Sequence, residues 1–314
     1  MHIMFDEHPF KVFEETEWQE ERELLQREMG VAFSTRAKDG SFMSVEEQIA
    51  CANEMGLGSV QFDFRNRLPH AVEKASETLS VFHELNDGVS VSIHGETPKI
   101  DETTLKIKNA ELLAKELDIA RSVDAESFTV HPPSIRQDLF DGLDQSMRDR
   151  IVSGYCDVFA EKINAAIKEG KRFSVAIENM TLGGEDGAWG QKPEDIKFLI
   201  QKIEEMLVGK YDIHPDIAHE CVGATIDINH ALAGEKEASS IPEVLERWFQ
   251  ELGEYIRVIH LYTPGDANTS LMQKFESTLN LAARYSPAAQ LFMESKQKPE
   301  VTKHVFASVK NKKL

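Results

Sequence analysis

The sequence is poor in cysteine and has no long hydrophobic run. Its three cysteines, Cys51, Cys156 and Cys221, are odd in number and widely separated, which argues against a disulfide framework and a Cys-x-x-Cys zinc site. No apolar stretch approaches the roughly 18 residues of a membrane helix, and the first residues lack the features of a secretory signal. We therefore expect a protein of the cytoplasm that does not span a membrane.

Positive charge is also scarce. The chain has 35 Lys and Arg residues against 54 Asp and Glu residues, so its formal net charge is -19. Nucleic-acid-binding proteins usually present a basic face to phosphate, so nucleic acid is disfavoured as a partner. A metal site can still hold a local positive field inside an acidic protein. No sequence pattern predicts the oligomeric state.

From residue 31 onward, short runs rich in Val, Ile and Phe alternate with longer amphipathic stretches, such as a helix expected over residues 104–123. This alternation predicts parallel strands joined by crossover helices. We predict an α/β protein, a (β/α)8 TIM barrel over residues 31–314, preceded by a helical arm over residues 1–30. A doubly wound open sheet is the alternative. The predicted strands span residues 31–35, 59–64, 89–94, 127–131, 173–178, 223–228, 255–261 and 290–294.

Six metal-capable side chains each occur at or near the C-terminal end of a different predicted strand. Strand ends of a barrel converge on one pocket, so such residues become neighbours in space. Singly, each is explained as a structural His or a helix cap, but clustered carboxylates repel and buried charge needs compensation. One or two divalent cations would supply it, and mixed nitrogen and oxygen donors favour zinc or manganese over calcium. The six are His94, His131, Glu178, Asp227, His260 and Glu294.

Short motifs at these strand ends carry a family resemblance over residues 31–296. The most specific are Ser92-Ile93-His94, His131-Pro132-Pro133-Ser134, Ile177-Glu178-Asn179, Asp227-Ile228-Asn229-His230, His260-Leu261 and Met293-Glu294. They resemble the xylose-isomerase-like TIM-barrel superfamily, which contains sugar isomerases, epimerases and dehydratases as well as AP endonucleases of the endonuclease IV type. The resemblance implies a metal tetrad of Glu178, Asp227, His260 and Glu294, with His230 reaching into the site.

The endonuclease branch adds features that are only partly present in this chain. It has imidazoles at the positions of His94 and His131, and its glutamate bridges two metals. It also holds a third metal with an Asp-x-His pair after the seventh strand, where residues 266–268 of this chain read Asp-Ala-Asn. The aromatic residue and leucine that wedge into DNA are replaced by residues of the 97–99 segment. These departures count against DNA cleavage.

Two functions follow, and we rank them in this order. The first is an isomerase or epimerase of a small polyol, keto-sugar or sugar phosphate, in which a metal stabilises an enediolate. Glu178 and Glu294 then act as acid and base and His230 binds a substrate oxygen, with a dehydratase as a close variant. The second is a two-metal hydrolase attacking phosphorus. A barrel that binds a ligand without chemistry would leave six ligand positions unexplained.

Two further residues are candidates for substrate binding. Trp189 lies in a Gly-rich stretch, residues 183–190, directly after the fifth predicted strand. This stretch either forms part of a substrate wall or is a plain long loop. Arg136 follows the fourth strand and either meets a phosphate or carboxylate or is an ordinary surface Arg.

Overall fold

The structure, a computed structural model, describes residues 15–33, 45–64, 89–171, 173–181, 189–233, 241–263, 269–295 and 299–311. Eight parallel strands form one closed barrel in which β8 pairs with β1. The predicted TIM barrel is confirmed, because an open sheet has no pairing between its first and last strands. The strands are β1 (Gly30–Phe33), β2 (Ser59–Asp63), β3 (Ser90–His94), β4 (Ser127–Val130), β5 (Ser174–Glu178), β6 (Val222–Asp227), β7 (Ile256–Thr263) and β8 (Gln290–Ser295).

The described parts of the connections between strands contain helices, and a 3-10 turn (Gly253–Tyr255) precedes β7. None of the helices described is both long and apolar enough to cross a membrane. The helices are α1 (Glu15–Glu28), α2 (Val45–Met55), α3 (Ala110–Ser122), α4 (Gln137–Gly142), α5 (Gln145–Lys168), α6 (Pro193–Tyr211), α7 (Pro215–Cys221), α8 (Ile228–Ala233), α9 (Ile241–Leu252), α10 (Thr269–Tyr285) and α11 (Pro299–Lys310).

The alternation of side chains along each strand decides which residues face the barrel interior. In β3, Val91 and Ile93 are buried in the large hydrophobic core. Ser92 points the other way, and its hydroxyl donates to Gln290 Oε1 at 2.8 Å. Gln290 lies on β8, which does not neighbour β3, so this hydrogen bond crosses the inside of the barrel. His94, two residues after Ser92, therefore also faces inward.

A packed layer lies inside the barrel below the acids and imidazoles of the strand ends. Part of it is polar: Gln61 Nε2 donates to Thr129 Oγ1 at 3.1 Å, and Thr129 Oγ1 lies 3.1 Å from Thr225 Oγ1. The rest is a small apolar cluster. The polar contacts link β2, β4 and β6, which are not neighbours, and so help to fix the side chains one layer higher. The apolar members are Ala32, Ala176, Val258 and Phe292.

Helix α3 is shorter than the sequence predicted. It begins at Ala110 rather than at residue 104. Asp101 Oδ1 accepts hydrogen bonds from the Thr104 backbone and hydroxyl, and Leu105 adopts a positive φ of 57°. This local turn competes with the helix, because Asp and Thr side chains can bond to nearby backbone groups in place of the helical pattern. The apolar residues at the start of the predicted helix therefore lie in a turn.

The N-terminal helix packs against the outside of the barrel. Helix α1 contacts α10 and β8, and Leu25 is buried. Gln26 Nε2 donates to the carbonyl oxygens of Lys310 at 2.9 Å and Val309 at 3.3 Å, at the end of α11. The helix expected near this position is present and begins at Glu15. A separate arm over residues 1–30 stays a prediction.

Candidate metal centre

The six predicted ligand residues lie at or near the C-terminal ends of six strands and are all buried. Strand alternation points them into the barrel mouth, one layer above the packed interior described above. Glu178 and Asp227 are the last residues of β5 and β6, and His131 directly follows β4. Sequence-distant residues thus meet because the barrel closes, as expected from the strand pattern.

Glu178 lies at the middle of the cluster. Its Oε2 atom is 2.7 Å from His94 Nε2 and 2.8 Å from His131 Nε2. Its Oε1 atom is 2.9 Å from His260 Nδ1. The carboxylate therefore divides its contacts between two sets of side chains, one on each oxygen.

Two groups of potential metal ligands overlap at this carboxylate. In each group the donor atoms lie within 4.8 Å of one another. The first group joins Glu178 to His94 and His131, which we call the β3–β4 half. The second joins Glu178 to Asp227 and His260, which we call the β6–β7 half. Both groups are fully buried.

Hydrogen bonds orient the two imidazoles of the β3–β4 half. His94 Nδ1 lies 3.0 Å from the carbonyl oxygen of Gly95, which can only accept, so this nitrogen carries the proton. In neutral His94 the lone pair is therefore on Nε2, which faces Glu178. His131 Nδ1 lies 2.7 Å from Thr97 Oγ1, and its Nε2 faces the same carboxylate. A metal-ligating imidazole needs this arrangement, with the distal nitrogen held by a hydrogen bond.

The β6–β7 half is organised by the residue that follows Glu178. Asn179 Oδ1 accepts a hydrogen bond from the Asp227 backbone at 2.6 Å, and Asn179 Nδ2 donates to the Asp227 carbonyl at 3.1 Å. His230 Nδ1 donates to the Asn179 carbonyl at 2.9 Å. The Asp227 carboxylate accepts from the His230 backbone at 2.8 Å. Asn179 therefore ties the end of β5 to the end of β6.

The charges in the cluster perturb one another strongly. Burial alone would raise the pKa of Glu178, but His94, His260 and His131 hold it well below its usual value. The pKa of Asp227 is raised by burial and by the charges of Glu294 and Glu178, against the opposing effect of His230. Burial lowers the pKa of His260, but Glu178, Glu294 and Asp227 together outweigh burial, and the net shift is upward. The carboxylates of the β6–β7 half thus lack full compensation within the protein.

The donor set fits a divalent cation. His260 Nε2 is buried and has no hydrogen-bond partner among the described residues. If His260 Nδ1 donates to Glu178, this nitrogen presents an unshared lone pair, which a cation would satisfy. The mixture of imidazole nitrogen and carboxylate oxygen suits zinc or manganese. The two overlapping groups offer ligands for one or two ions.

Solved structures of known proteins share this barrel. No protein-family model matches the sequence, and no curated protein matches it. A D-tagatose 3-epimerase-like protein is 17% identical over 90% of this chain and 98% of its own, with a TM-score of 0.56. Endonuclease IV from Thermus thermophilus is 18% identical over 90% of this chain and 97% of its own, also with a TM-score of 0.56.

A xylose isomerase domain protein from Alicyclobacillus acidocaldarius subsp. acidocaldarius is 14% identical over 90% of this chain and 96% of its own, with a TM-score of 0.52. The chain has the fold of these proteins. Both branches of the resemblance drawn from the sequence are represented, at identities that establish the fold alone. The barrel fold is therefore common to both groups of proteins, and the choice of reaction depends on the site.

Of the other predicted residues, His230 lies at the mouth of the barrel, where its side chain is 30% exposed. Glu294 is buried on β8, and its charge acts on Asp227, His230 and His260. The triplet at residues 266–268 and the glycine-rich residues 183–188 lie outside the described residues.

The two predicted substrate residues make contacts elsewhere. Trp189 is buried and packs edge-on against Phe140, with ring centroids 4.6 Å apart. Arg136 is exposed, and its guanidinium pairs with the Asp138 carboxylate at 2.9 Å. Neither contact directs the side chain to the metal-capable cluster, so their roles in substrate binding stay predictions.

The structure adds residues that sequence reasoning missed. Asp63 is buried at the end of β2, two residues after Gln61, so it has the same strand position as the ligands. Its signal in the sequence was an acid one residue before the end of a predicted strand. Lys274 of α10 donates to Asn229 Oδ1 at 2.6 Å, beside His230. Burial lowers the pKa of Lys274 overall, against the opposing charge of Asp227, so this ammonium lies within electrostatic reach of the cluster.

Proposed function

We propose that the protein is a divalent-metal-dependent hydrolase of small phosphate esters, with two cations sharing Glu178. The observation that carries the proposal is the division of contacts on this carboxylate, with His94 and His131 at Oε2 and His260 at Oε1. A single cation in the β6–β7 half would leave the two imidazoles of the other half without a role. We therefore place hydrolysis ahead of the isomerase that the sequence favoured.

The residues that would hold the ions are those of the two halves, with Glu294 completing the second. Cations in a two-metal site stabilise negative charge on a phosphoryl group and lower the pKa of water. The protein contributes a dry, fixed donor set: the imidazoles are held by Gly95 and Thr97, and Asp227 is held by Asn179.

Two groups at the mouth are suited to the phosphoryl oxygens of the substrate. His230 is partly exposed, and although burial lowers its pKa, Asp227 and Glu178 produce a net upward shift that favours the protonated donor. Lys274 is held by Asn229 and is half-buried. We propose that these two residues bind the substrate anion, in place of the exposed Arg136.

The substrate we propose is small rather than a DNA duplex. The formal net charge of -19 opposes a polyanion. The segment where the endonuclease branch inserts its wedge is held down against the next loop: Ser134 donates to the Pro98 carbonyl at 2.7 Å, and Ile100 donates to the Ser134 carbonyl at 3.0 Å. Three buried free thiols suit a reducing compartment, and we keep the cytoplasm as the proposed location.

The second candidate is the sugar isomerase or epimerase. The observation in its favour is that Glu178, Asp227 and His260 form a complete ligand group without the β3–β4 half. In this reaction Glu178 and Glu294 would act as acid and base on either side of a substrate carbon, and His230 would bind an oxygen. Solvent deuterium would then appear in the recovered sugar.

A chromogenic phosphodiester tests the first candidate. With Mn²⁺ or Zn²⁺, the protein should release nitrophenol from bis(p-nitrophenyl) phosphate, and a chelator should stop the release. His94→Ala should lower the rate by about 100-fold or more, the cost of losing one strong stabilising group. His219→Ala removes a histidine paired with Glu204 and serves as the matched control. No release, together with deuterium exchange that survives His94→Ala, would favour the isomerase; cleavage of abasic-site DNA would contradict the small substrate.

A further inference from the structure

The imidazoles of the β3–β4 half are both held by one short segment, residues 95–97, which we call the 95–97 loop. The Gly95 carbonyl oxygen accepts from His94 Nδ1, and Thr97 Oγ1 contacts His131 Nδ1. His94 and His131 belong to different strands, so the loop is the common support that turns both Nε2 atoms toward Glu178. The position of the loop therefore determines whether both imidazoles of the β3–β4 half are directed at Glu178.

The loop is fixed through its backbone. The Gly95 amide donates to the Thr129 carbonyl at 2.9 Å, and a Cβ atom on Gly95 would overlap the Phe128 ring, so no larger residue fits there. At the far end, Asn109 Nδ2 donates to the Thr97 carbonyl at 2.9 Å. Between Gly95 and Thr97, the loop backbone is held by a side chain of a helix that lies outside the barrel strands.

That central anchor is Glu116. It lies on α3 and is completely buried, and its Oε2 atom accepts a hydrogen bond from the Glu96 backbone at 2.9 Å. Its other oxygen, Oε1, has no hydrogen-bond partner among the described residues. A buried carboxyl group is costly in a helix that otherwise buries Leu113 and Leu117 on the same face. The hydrogen bond to the 95–97 loop offsets part of this cost.

We propose that Glu116 is a positioning residue: by holding the 95–97 loop, it keeps His94 and His131 directed at Glu178 and so creates the cation position of the β3–β4 half. The cation position rests on the proposed function, whereas the orientation of the two imidazoles does not. Glu116 supports the groups that support the ligands, and such outer contacts set both the orientation and the protonated nitrogen of an imidazole ligand.

Two substitutions at this position separate positioning from bulk stability. Glu116→Gln keeps an oxygen that can accept from the Glu96 backbone, whereas Glu116→Leu has a similar size and no acceptor. The matched control is Leu117→Ala, the next residue on α3, which is buried and does not contact the loop through a polar atom. It should lower the melting temperature and leave the loop in place.

The first measurement needs no metal. Long-range ¹H–¹⁵N NMR of the histidine rings at alkaline pH reports which nitrogen carries the proton. In the wild type, Glu116→Gln and Leu117→Ala, His94 should carry it on Nδ1. In Glu116→Leu the His94 ring should become a mixture of tautomers. An unchanged Nδ1 proton in Glu116→Leu, or the same loss in Leu117→Ala, would overturn the positioning role.

The second measurement titrates Mn²⁺ or Zn²⁺ alone and follows binding by calorimetry. Glu116→Leu should weaken one of two binding events by about 10- to 100-fold and leave the other unchanged, with Glu116→Gln close to the wild type. Equal weakening of both events would overturn a role confined to the β3–β4 half. If the wild type binds a single ion while the tautomer result holds, the two-cation function fails and the positioning of the imidazoles stands.

Discussion

The β3–β4 and β6–β7 halves of the cluster are held in place by different means. His94 and His131 are oriented by a carbonyl and a hydroxyl of the 95–97 loop. Asp227 lies near two other carboxylates, and its pKa is raised by burial and by the charges of Glu294 and Glu178. The first half therefore depends on orientation, whereas the second depends on compensation of its negative charge.

One side chain contacts both halves. Glu178 lies against the imidazoles of the β3–β4 half with Oε2 and against His260 of the β6–β7 half with Oε1. A cation in the β6–β7 half would relieve the repulsion among carboxylates, and a cation in the β3–β4 half would be held by the two imidazoles together with Glu178.

The largest effect should come from Glu178→Gln, which removes the charge that both halves share. We expect both cations to be lost and activity to fall by more than the roughly 10²- to 10³-fold that removing one stabilising group costs. Metal content by mass spectrometry and turnover of the phosphodiester check this. Retention of two ions per chain would show that Glu178 is not a shared ligand.

His94→Ala and His260→Ala should each remove one ion and leave the other. The two halves have separate ligands apart from Glu178, so each variant should bind one ion with nearly the affinity of its intact half. Activity in both should fall by about 100-fold or more, because the hydrolysis needs both positions. If either variant lost both ions, the halves would form one site and the comparison would fail.

Asn179→Ala should affect the β6–β7 half alone. It removes both hydrogen bonds to the Asp227 backbone, so this half should bind its ion about 10- to 100-fold more weakly. Calorimetric titration of metal measures the change, and Asn229→Ala, a neighbouring Asn on α8, is the control for metal affinity. Weakening of the β3–β4 half by the same factor would indicate general loosening of the rim.

The smallest effect on activity should come from Glu116→Gln. This substitution should instead change how the free energy of unfolding depends on pH. Burial, with added repulsion from Glu96 and Asp63, raises the pKa of Glu116 to about 8 in the folded protein, from 4.5. Its contribution to stability is therefore full below about pH 4.5 and is lost as pH rises toward about 8, at about 1.4 kcal/mol per pH unit. Urea unfolding at several pH values should show this loss in the wild type and a flatter profile in Glu116→Gln. Parallel profiles would contradict a raised pKa.

The sequence predicted the barrel well because the pattern is local. Alternating segments such as Ser-Val-Ser-Ile-His in β3 indicate both the strand and its inward face, and closure of eight strands brings their ends together. The start of α3 was misplaced because Asp101 and Thr104 form a turn whose effect outweighs the helical spacing of Leu105 and Ile107. The positions of the strand-end acids and imidazoles could therefore be predicted, whereas the start of this helix could not.

The supporting residues could not be read in the same way. Asn179 acts through bonds to the backbone of another strand, which leaves no pattern in the chain. Glu116 resembled one of the charges interspersed in an amphipathic helix, although its spacing from Leu113 and Leu117 places it on the buried face. The division of contacts between the two Glu178 oxygens depends on interatomic distances, which the sequence does not contain.

The central claim is that the barrel mouth holds two divalent ions on either side of Glu178. A crystal structure of the protein grown with Mn²⁺, with an anomalous difference map, tests it most directly. The account predicts two peaks, one beside His94 and His131 and one beside Asp227 and His260, each adjacent to an oxygen of Glu178. A single peak, or peaks that leave Glu178 uncoordinated, would contradict it.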